Sequence, residues 1–141
     1  MKILVLNGPN INFLGIREPE IYGRETYEEM LAMISKAADE RGIDVEFFQS
    51  NHEGALIDKI QQAYGIFDGI VFNPAGYSHT SIALADAIKA VGIRTVEVHI
   101  SDISKREVYR RHSFISEAAC ACITGHGFDG YVEAIDILTE V

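Results

Sequence analysis

Five short apolar segments, separated by amphipathic stretches, form the main pattern along this chain. They are rich in β-branched residues and predict strands at Ile3–Leu6, Val45–Phe48, Gly69–Phe72, Thr95–Val98 and Ala119–Ile123. Near-continuous apolar runs of this length are typical of parallel strands that are covered on both faces. We therefore expect a sheet that is buried between two layers of helices.

Apolar residues recur at helical spacing between the strands and after the last one. Four helices are predicted, with apolar positions Tyr27, Met30, Leu31, Ile34, Ala37 and Ala38; Leu56, Ile57, Ile60, Ala63 and Tyr64; Ile82, Leu84, Ala85, Ile88 and Val91; and Tyr131, Ala134, Ile135 and Leu138. Thr26 and Glu29 form a capping box before the first helix, and Gly42 ends it.

This alternation of strands and helices predicts right-handed crossovers. The expected fold is α/β, a flavodoxin-like, doubly wound, five-stranded parallel sheet of order 2-1-3-4-5 with helices on both faces. Residues 1–141 are expected to form a single domain, since the chain is long enough for one core.

Composition narrows the class of protein. Apolar residues make up 48% of the chain and charged residues 23%, as in ordinary globular proteins, and no apolar run is long enough to span a membrane. The formal net charge of −9 makes nucleic acid and anionic membranes poor partners. Cys120 and Cys122 are expected to be reduced thiols in a cytoplasmic protein.

Polar residues cluster where the strands end. Long loops follow the first and fourth strands, from Gly8 to Glu25 and from His99 to about Ser116, and a polar turn follows the third, from Asn73 to Ser81. Ligands of open α/β sheets bind beyond the carboxyl ends of the strands, where the strand order reverses. These segments are therefore predicted to meet in one crevice.

The stretch "GIREPEIYGRE" places Arg17 and Arg24 on either side of Tyr22. A tyrosine hydroxyl is mostly protonated at neutral pH, and an adjacent cation favours the phenolate, so this segment is consistent with a tyrosinate base. The alternative is a surface tyrosine with incidental arginines. Pro19 and Gly23 predict an irregular loop with neither helix nor strand.

Histidines and amides supply the other candidate groups. Glu97 and His99 share one face of the fourth strand, so the carboxylate can orient the imidazole and suit it to act as a general acid. Asn73 and His79 lie where a helix N-terminus could help to hold a carboxylate or hydroxyls. The structural alternative is a turn with a helix cap.

The segment "SKREVYRRHS" carries the densest positive charge in the chain. Most of it is expected to be solvated, and one arginine turned inward would be enough to bind an anionic or polyhydroxylated ligand. The glycine-rich motifs of dinucleotide and nucleoside triphosphate sites are absent from the sequence, as is a cluster with catalytic metal spacing.

A base, a histidine acid and polar anchors without a cofactor suit the elimination of water beside a carbonyl group. Two other classes stay open. "GYSHT" resembles a nucleophile elbow with Ser78 as the nucleophile of a hydrolase, although Thr80 replaces the final glycine. A non-catalytic module that binds an anionic metabolite would keep Asn73, His79 and Arg110. It would need neither Tyr22 nor His99.

Four strings, "LNGPNINFLGIREPEIYG", "NPAGYSHTSIALADAI", "EVHIS" and "RRHS", occur in this order over essentially the whole chain. At these spacings the sequence closely resembles type II 3-dehydroquinate dehydratase. The resemblance implies reversible dehydration of 3-dehydroquinate to 3-dehydroshikimate, in the shikimate pathway or quinate catabolism. It also implies a dodecamer built from trimers, with no cofactor and no metal.

The same resemblance assigns roles to individual residues. Tyr22 matches the base that gives an enolate, Arg17 the lid residue that favours its phenolate, and Asn12 the holder of a water at the enolate oxygen. His99 matches the general acid, with Glu97 beside it. The remaining matches are substrate contacts: Asn73 and the backbone amides of Ile100 and Ser101 for the carboxylate, His79 and Arg110 for ring hydroxyls, and Asp86 from a neighbouring subunit.

The sequence departs from the family pattern in the loop after the fourth strand. Asp102 stands where asparagine is common, and its charge is expected to weaken substrate binding unless it points away or pairs with Arg106 or Arg111. Val108 and Tyr109 replace a more usual Pro-Phe. The five lysines fall mostly on solvent-facing positions, which disfavours a Schiff-base mechanism.

Overall fold

The structure, a computed structural model, describes residues 1–140. The last residue of the predicted 1–141 domain, Val141, lies outside the described residues. Five parallel strands form one sheet of order β2-β1-β3-β4-β5. They are β1 (Lys2–Asn7), β2 (Asp44–Gln49), β3 (Gly69–Asn73), β4 (Arg94–His99) and β5 (Ala121–Thr124). The predicted strand order is confirmed.

Five α-helices accompany the strands: α1 (Pro19–Tyr22), α2 (Tyr27–Glu40), α3 (Glu53–Ala63), α4 (Ile82–Val91) and α5 (Asp129–Thr139). The predicted cap of α2 is confirmed, since Thr26 Oγ1 accepts a hydrogen bond of 3.2 Å from the Glu29 amide. The described residues include no helix long and apolar enough to cross a membrane.

Alternate residues of each central strand enter two separate cores. In β1, Ile3 and Val5 pack with α2 and α5, whereas Leu4 and Leu6 pack with α3 and α4 on the other face. This division follows from the two-residue period of a strand and explains why the apolar runs of the central strands are nearly continuous.

The predicted coverage of all five strands on both faces is wrong for the edge strands β2 and β5. No residue of β2 is fully buried, and only Ile123 is buried in β5, because both strands lie at the edges of the sheet. β5 also begins two residues later than predicted, since its pairing with β4 starts where Ala121 lies opposite Val96.

The segment around Tyr22 was expected to contain no helix, and this expectation is wrong. Pro19–Tyr22 forms one helical turn, because proline is compatible with the first helical positions, where its missing N–H costs nothing. Gly23, with φ of 85°, then ends the turn.

Candidate active site

A cleft of about 190 Å³ opens at the carboxyl edge of the sheet. It lies beside β1, β3 and β4, where the order of the strands reverses, as expected for ligand sites of such sheets. The residues that line it are Pro9, Asn10, Ile11, Arg17, Tyr22, Asn73, Ala75, Gly76, His79, His99, Ile100, Ser101, Ile103, Arg106 and Arg110. All of the predicted polar segments therefore contribute to one site.

Close backbone approach shapes the floor of this cleft. A Cβ on Gly8 would lie 2.5 Å from the Pro74 carbonyl oxygen, so the loops after β1 and β3 can meet only with glycine at this position. Asn10 and Ala75 flank this contact with φ of 69° and 52°, in the left-handed region. Backbone in this region is costly for residues other than glycine and clusters at functional sites.

The Tyr22 hydroxyl is held by two arginines. Arg17 Nη2 and Arg106 Nη1 each donate a hydrogen bond of 3.1 Å to Tyr22 Oη. The guanidinium of Arg17 also lies 4.4 Å from the centre of the tyrosine ring. These contacts place two guanidinium groups at hydrogen-bonding distance from one tyrosine oxygen. Arg24, the other arginine in this segment, is exposed and does not line the cleft.

Arg106 is the residue that sequence reasoning missed in this role. Its Nη1 also donates to Ser101 Oγ at 3.2 Å, and its backbone carbonyl accepts a hydrogen bond of 2.9 Å from Arg111 Nε. Burial lowers the pKa of Arg106, but its hydrogen bond and charge interaction with Tyr22 outweigh burial, so that the pKa is raised overall. Arg106 therefore stays a cation beside the tyrosine.

His99 is oriented by a buried carboxylate. Its Nε2 lies 2.5 Å from Glu97 Oε2, and the side chain of Glu97 is fully buried. Ser113 Oγ donates to Glu97 Oε2 at 2.6 Å, and Ser116 Oγ donates to Oε1 at 2.5 Å. Burial raises the pKa of Glu97, but the hydrogen bond and charge of His99 and the two hydroxyls outweigh it and lower the pKa. The carboxylate is thus ionised and sets the orientation of the imidazole.

Asn73 is fixed at the end of β3 by a buried tyrosine. Its Nδ2 donates a hydrogen bond of 2.9 Å to Tyr131 Oη, and its Oδ1 accepts one of 3.1 Å from the Ala75 amide. Tyr131 Oη in turn donates to Asn7 Oδ1 at 2.7 Å. Tyr131 was predicted only as a core residue of α5, and the periodic pattern gave no indication of this hydrogen bond.

The other predicted substrate contacts lie on the opposite wall. His79 Nδ1–H donates to the His112 carbonyl at 2.7 Å, and its Nε2 lies 3.4 Å from Ser78 Oγ. Burial, together with the positive charges of His99 and Arg110, lowers the pKa of His79 and favours the neutral ring. Ile100 and Ser101 follow β4 and line the cleft, as does Arg110, whose Nε lies 3.0 Å from Glu107 Oε2.

Three of the predicted site residues do not line this cleft. Glu97 is buried behind His99, which does line it. Asn12 is exposed on a short 3-10 helix, Ile11–Phe13, whereas Asn10, two residues earlier, lines the cleft. The left-handed backbone of Asn10 turns the chain at this point. Asp86 is exposed on α4, away from the cleft of its own chain. Its predicted contribution to a neighbouring subunit stays a prediction.

The alternatives based on a nucleophile have little support from the geometry. Ser78 is fully buried, and its Oγ donates to the Ala75 carbonyl at 2.8 Å instead of facing the cleft. Among the residues described, the cleft lining includes no lysine that could form a Schiff base. Asp102 accepts hydrogen bonds from the Ser104 amide and hydroxyl, at 3.0 and 2.6 Å, and points away from the lining.

Comparisons with known proteins agree with this geometry. A family profile described as "Dehydroquinase class II" matches residues 1–139. The chain belongs to the class II dehydroquinase family.

Relatives named 3-dehydroquinate dehydratase, a hydro-lyase, cover the whole chain. The protein from Clostridium acetobutylicum is 56% identical over 141 residues, which cover 100% of this chain and 98% of that protein. The protein from Corynebacterium glutamicum is 53% identical, covering 99% and 97%. The crystal structure of type II dehydroquinase from Butyrivibrio crossotus superposes with a TM-score of 0.98 at 51% identity, covering 99% of this chain and 98% of that one. The predicted family, fold and enzyme class are confirmed.

Proposed function

We propose that this class II dehydroquinase reversibly dehydrates 3-dehydroquinate to 3-dehydroshikimate, through an enolate, with Tyr22 as base and His99 as acid. The observation that carries the proposal is the pair of guanidiniums on Tyr22 Oη in a cleft that His99 also lines. A base and an acid with separate supporting residues are what the elimination of water beside a ketone requires.

The first step removes a proton from the carbon beside the ketone. The Tyr22 phenolate takes this proton, and the electron pair of the C–H bond moves onto the ketone oxygen to give the enolate. Arg17 and Arg106 stabilise the phenolate before the transfer. Because both guanidinium groups lie against the tyrosine ring, the protein and not water stabilises the negative charge.

The second step expels the hydroxyl group. The enolate re-forms the ketone, its carbon–carbon double bond shifts to the carbon that bears the hydroxyl group, and the C–O bond breaks. The His99 imidazolium gives its proton to the departing oxygen, so that water leaves. The buried carboxylate of Glu97, 2.5 Å from Nε2, holds the ring in place during this transfer. The ring then returns to the neutral state and accepts the proton from Tyr22 by way of solvent.

The anchors complete the site. Asn73 and the backbone at Ile100 and Ser101 bind the substrate carboxylate, and His79 and Arg110 bind ring hydroxyls. The role that the resemblance gave to Asn12, holding a water at the enolate oxygen, passes to Asn10, because Asn10 lines the cleft and Asn12 does not.

The assembly and location are part of the same proposal. The chain acts in the cytoplasm, consistent with its free thiols. It acts as a dodecamer built from trimers, and the reaction needs neither cofactor nor metal. Asp86 is exposed on α4, so its side chain is available to reach a neighbouring subunit.

The test is the enone absorbance that appears when 3-dehydroquinate is added to the purified protein. Tyr22→Phe should lower the turnover number by roughly 10²–10⁴-fold, the usual contribution of a general base, and keep substrate binding. Tyr64→Phe is the matched control, because Tyr64 is 70% exposed and lies outside the cleft. No absorbance change with folded wild type would refute the dehydratase function and favour a non-catalytic binding module.

A further inference from the structure

Cys122 lies beside the carboxylate that orients His99. It pairs directly with Glu97 in the register of β4 and β5, so the two side chains share one face of the sheet. The ligand atoms of Glu97, His99 and Cys122 all lie within 4.8 Å of one another. Cys122 is exposed on the edge strand, whereas the other two residues are buried, so that solvent reaches the cluster from the cysteine side.

A carboxylate oxygen, an imidazole nitrogen and a thiolate are the three ligand types that zinc accepts. Zinc bonds of about 2.0–2.3 Å in a tetrahedron place ligand atoms roughly 3.2–3.8 Å apart, less than the present maximum separation. The 2.5 Å contact between His99 Nε2 and Glu97 Oε2 is too short and must open by about 1 Å. The separations in the cluster therefore differ from those of a zinc site by about 1.5 Å or less.

We propose that Glu97, His99 and Cys122 form a binding site for Zn²⁺ that inhibits the reaction of this enzyme. On binding, the Cys122 thiol releases its proton to solvent and the sulfur bonds to the metal. The His99 imidazolium releases its Nε2 proton to solvent and keeps the proton on Nδ1, and Nε2 becomes a ligand. The carboxylate and the thiolate then balance the two positive charges, which leaves the buried site neutral.

The surroundings of Glu97 suit this role. The Ser113 and Ser116 hydroxyls, which donate to the two carboxylate oxygens, can stay in place and hold the ligand. A water molecule supplies the fourth ligand from the solvent side of Cys122. Cys120, only two residues away, is also an exposed free thiol but is not a member of the cluster, which makes it a matched control.

Inhibition rests on the proposed function, in which His99 donates a proton as an imidazolium. A ring whose Nε2 is bound to the metal cannot also be protonated there. The metal therefore takes the place of the proton that the proposed mechanism puts on the ring. The bound metal is thus expected to stop turnover and to leave the anchors for the substrate intact.

The experiment separates metal binding from inhibition. The full chain, treated with a chelator and kept reduced, is titrated with Zn²⁺ while turnover is followed, and with Cd²⁺ while the ultraviolet absorbance of the cadmium–thiolate bond is followed. Wild type and Cys120→Ser should bind one metal ion and lose turnover as it binds. Cys122→Ser should bind the metal at least about tenfold more weakly. Loss of a side chain that only hydrogen-bonds a metal ligand already weakens binding by about this factor, so the loss of a ligand should cost at least as much.

The proposal would be overturned if Cys122→Ser and wild type lost turnover at the same metal concentration. It would also be overturned if Cys120→Ser, and not Cys122→Ser, kept its turnover in the presence of the metal. Cadmium binding that depends on Cys122 without loss of turnover would overturn the inhibition and would point to a failure of the proposed role of His99. Because the cadmium titration needs no substrate, it also tests the site if the dehydratase activity is absent.

Discussion

Removal of Arg106 tests whether the second guanidinium on Tyr22 contributes to catalysis. In Arg106→Ala the Tyr22 hydroxyl keeps only its 3.1 Å hydrogen bond from Arg17 Nη2. The side chain of Arg106 is only 14% exposed, so its charge is not screened as that of a surface arginine would be. The matched control is Arg24→Ala, since Arg24 is exposed and lies outside the cleft.

The expected magnitude follows from the lost hydrogen bond. A hydrogen bond to a charged group contributes about 1.5–3 kcal/mol. Because about 1.4 kcal/mol corresponds to a factor of ten in rate, Arg106→Ala should lower the turnover number roughly 10–150-fold. The full Coulomb energy of two unit charges about 3 Å apart, roughly 5 kcal/mol at an effective dielectric constant of 20, sets the upper limit.

Initial rates of enone formation measure this effect. Arg24→Ala should keep the wild-type rate. A loss below about threefold in Arg106→Ala, which is under 1 kcal/mol, would refute the role of Arg106, as would an equal loss in Arg24→Ala.

Three further substitutions probe the supports of the site. Tyr131→Phe leaves Asn73 Nδ2 without its partner and should cost about 1–3 kcal/mol of unfolding free energy while raising KM more than it lowers kcat, as measured by denaturant unfolding and steady-state kinetics. Glu97→Gln should cost a similar amount of unfolding free energy at pH 7. Because the folded-state pKa of Glu97 lies below its usual 4.5, the wild type has this stability above pH 4.5 and loses it as the pH falls further. The unfolding free energy of the variant should lack this pH dependence. Asp102→Asn should change KM by less than about twofold, under 0.5 kcal/mol, because Asp102 points toward Ser104 and not toward the cleft; a larger decrease in KM would show that its charge opposes the substrate.

The sheet was predictable because its central strands and helices follow simple periodicities. β1 and β3 are fully buried on both faces apart from Lys2, so their sequences are continuous apolar runs, and the strand order follows from the regular alternation of strands with helices. The partial burial of the edge strand β2 was not predicted, because its apolar residues do not show that the sheet ends at this strand. The helical turn at Pro19–Tyr22 was missed because proline ends a helix in most positions but begins one at the first.

The site was predictable only where neighbours in sequence are neighbours in space. Glu97 and His99 share a strand face, and Arg17 lies close to Tyr22 along the chain, so their pairing follows from spacing. Arg106 is 84 residues from Tyr22, and its choice among the charges of one basic loop depends on how that loop folds over the cleft. Tyr131, 58 residues from Asn73, has the periodicity of a core residue and shows its polar role only in the folded chain.

The distribution of charge reconciles an acidic chain with an anionic substrate. The net charge of −9 repels an anion at long range, yet among the described residues the cleft is lined by three arginines and by no carboxylate. The nearby acids face other groups: Glu97 lies behind His99, and Glu107 pairs with Arg110 outside the lining. Since contacts inside a cleft are screened less than interactions across the surface, the local cations determine what binds. Net charge therefore predicts that nucleic acid is a poor partner but gives no information about the sign of the small ligand's charge.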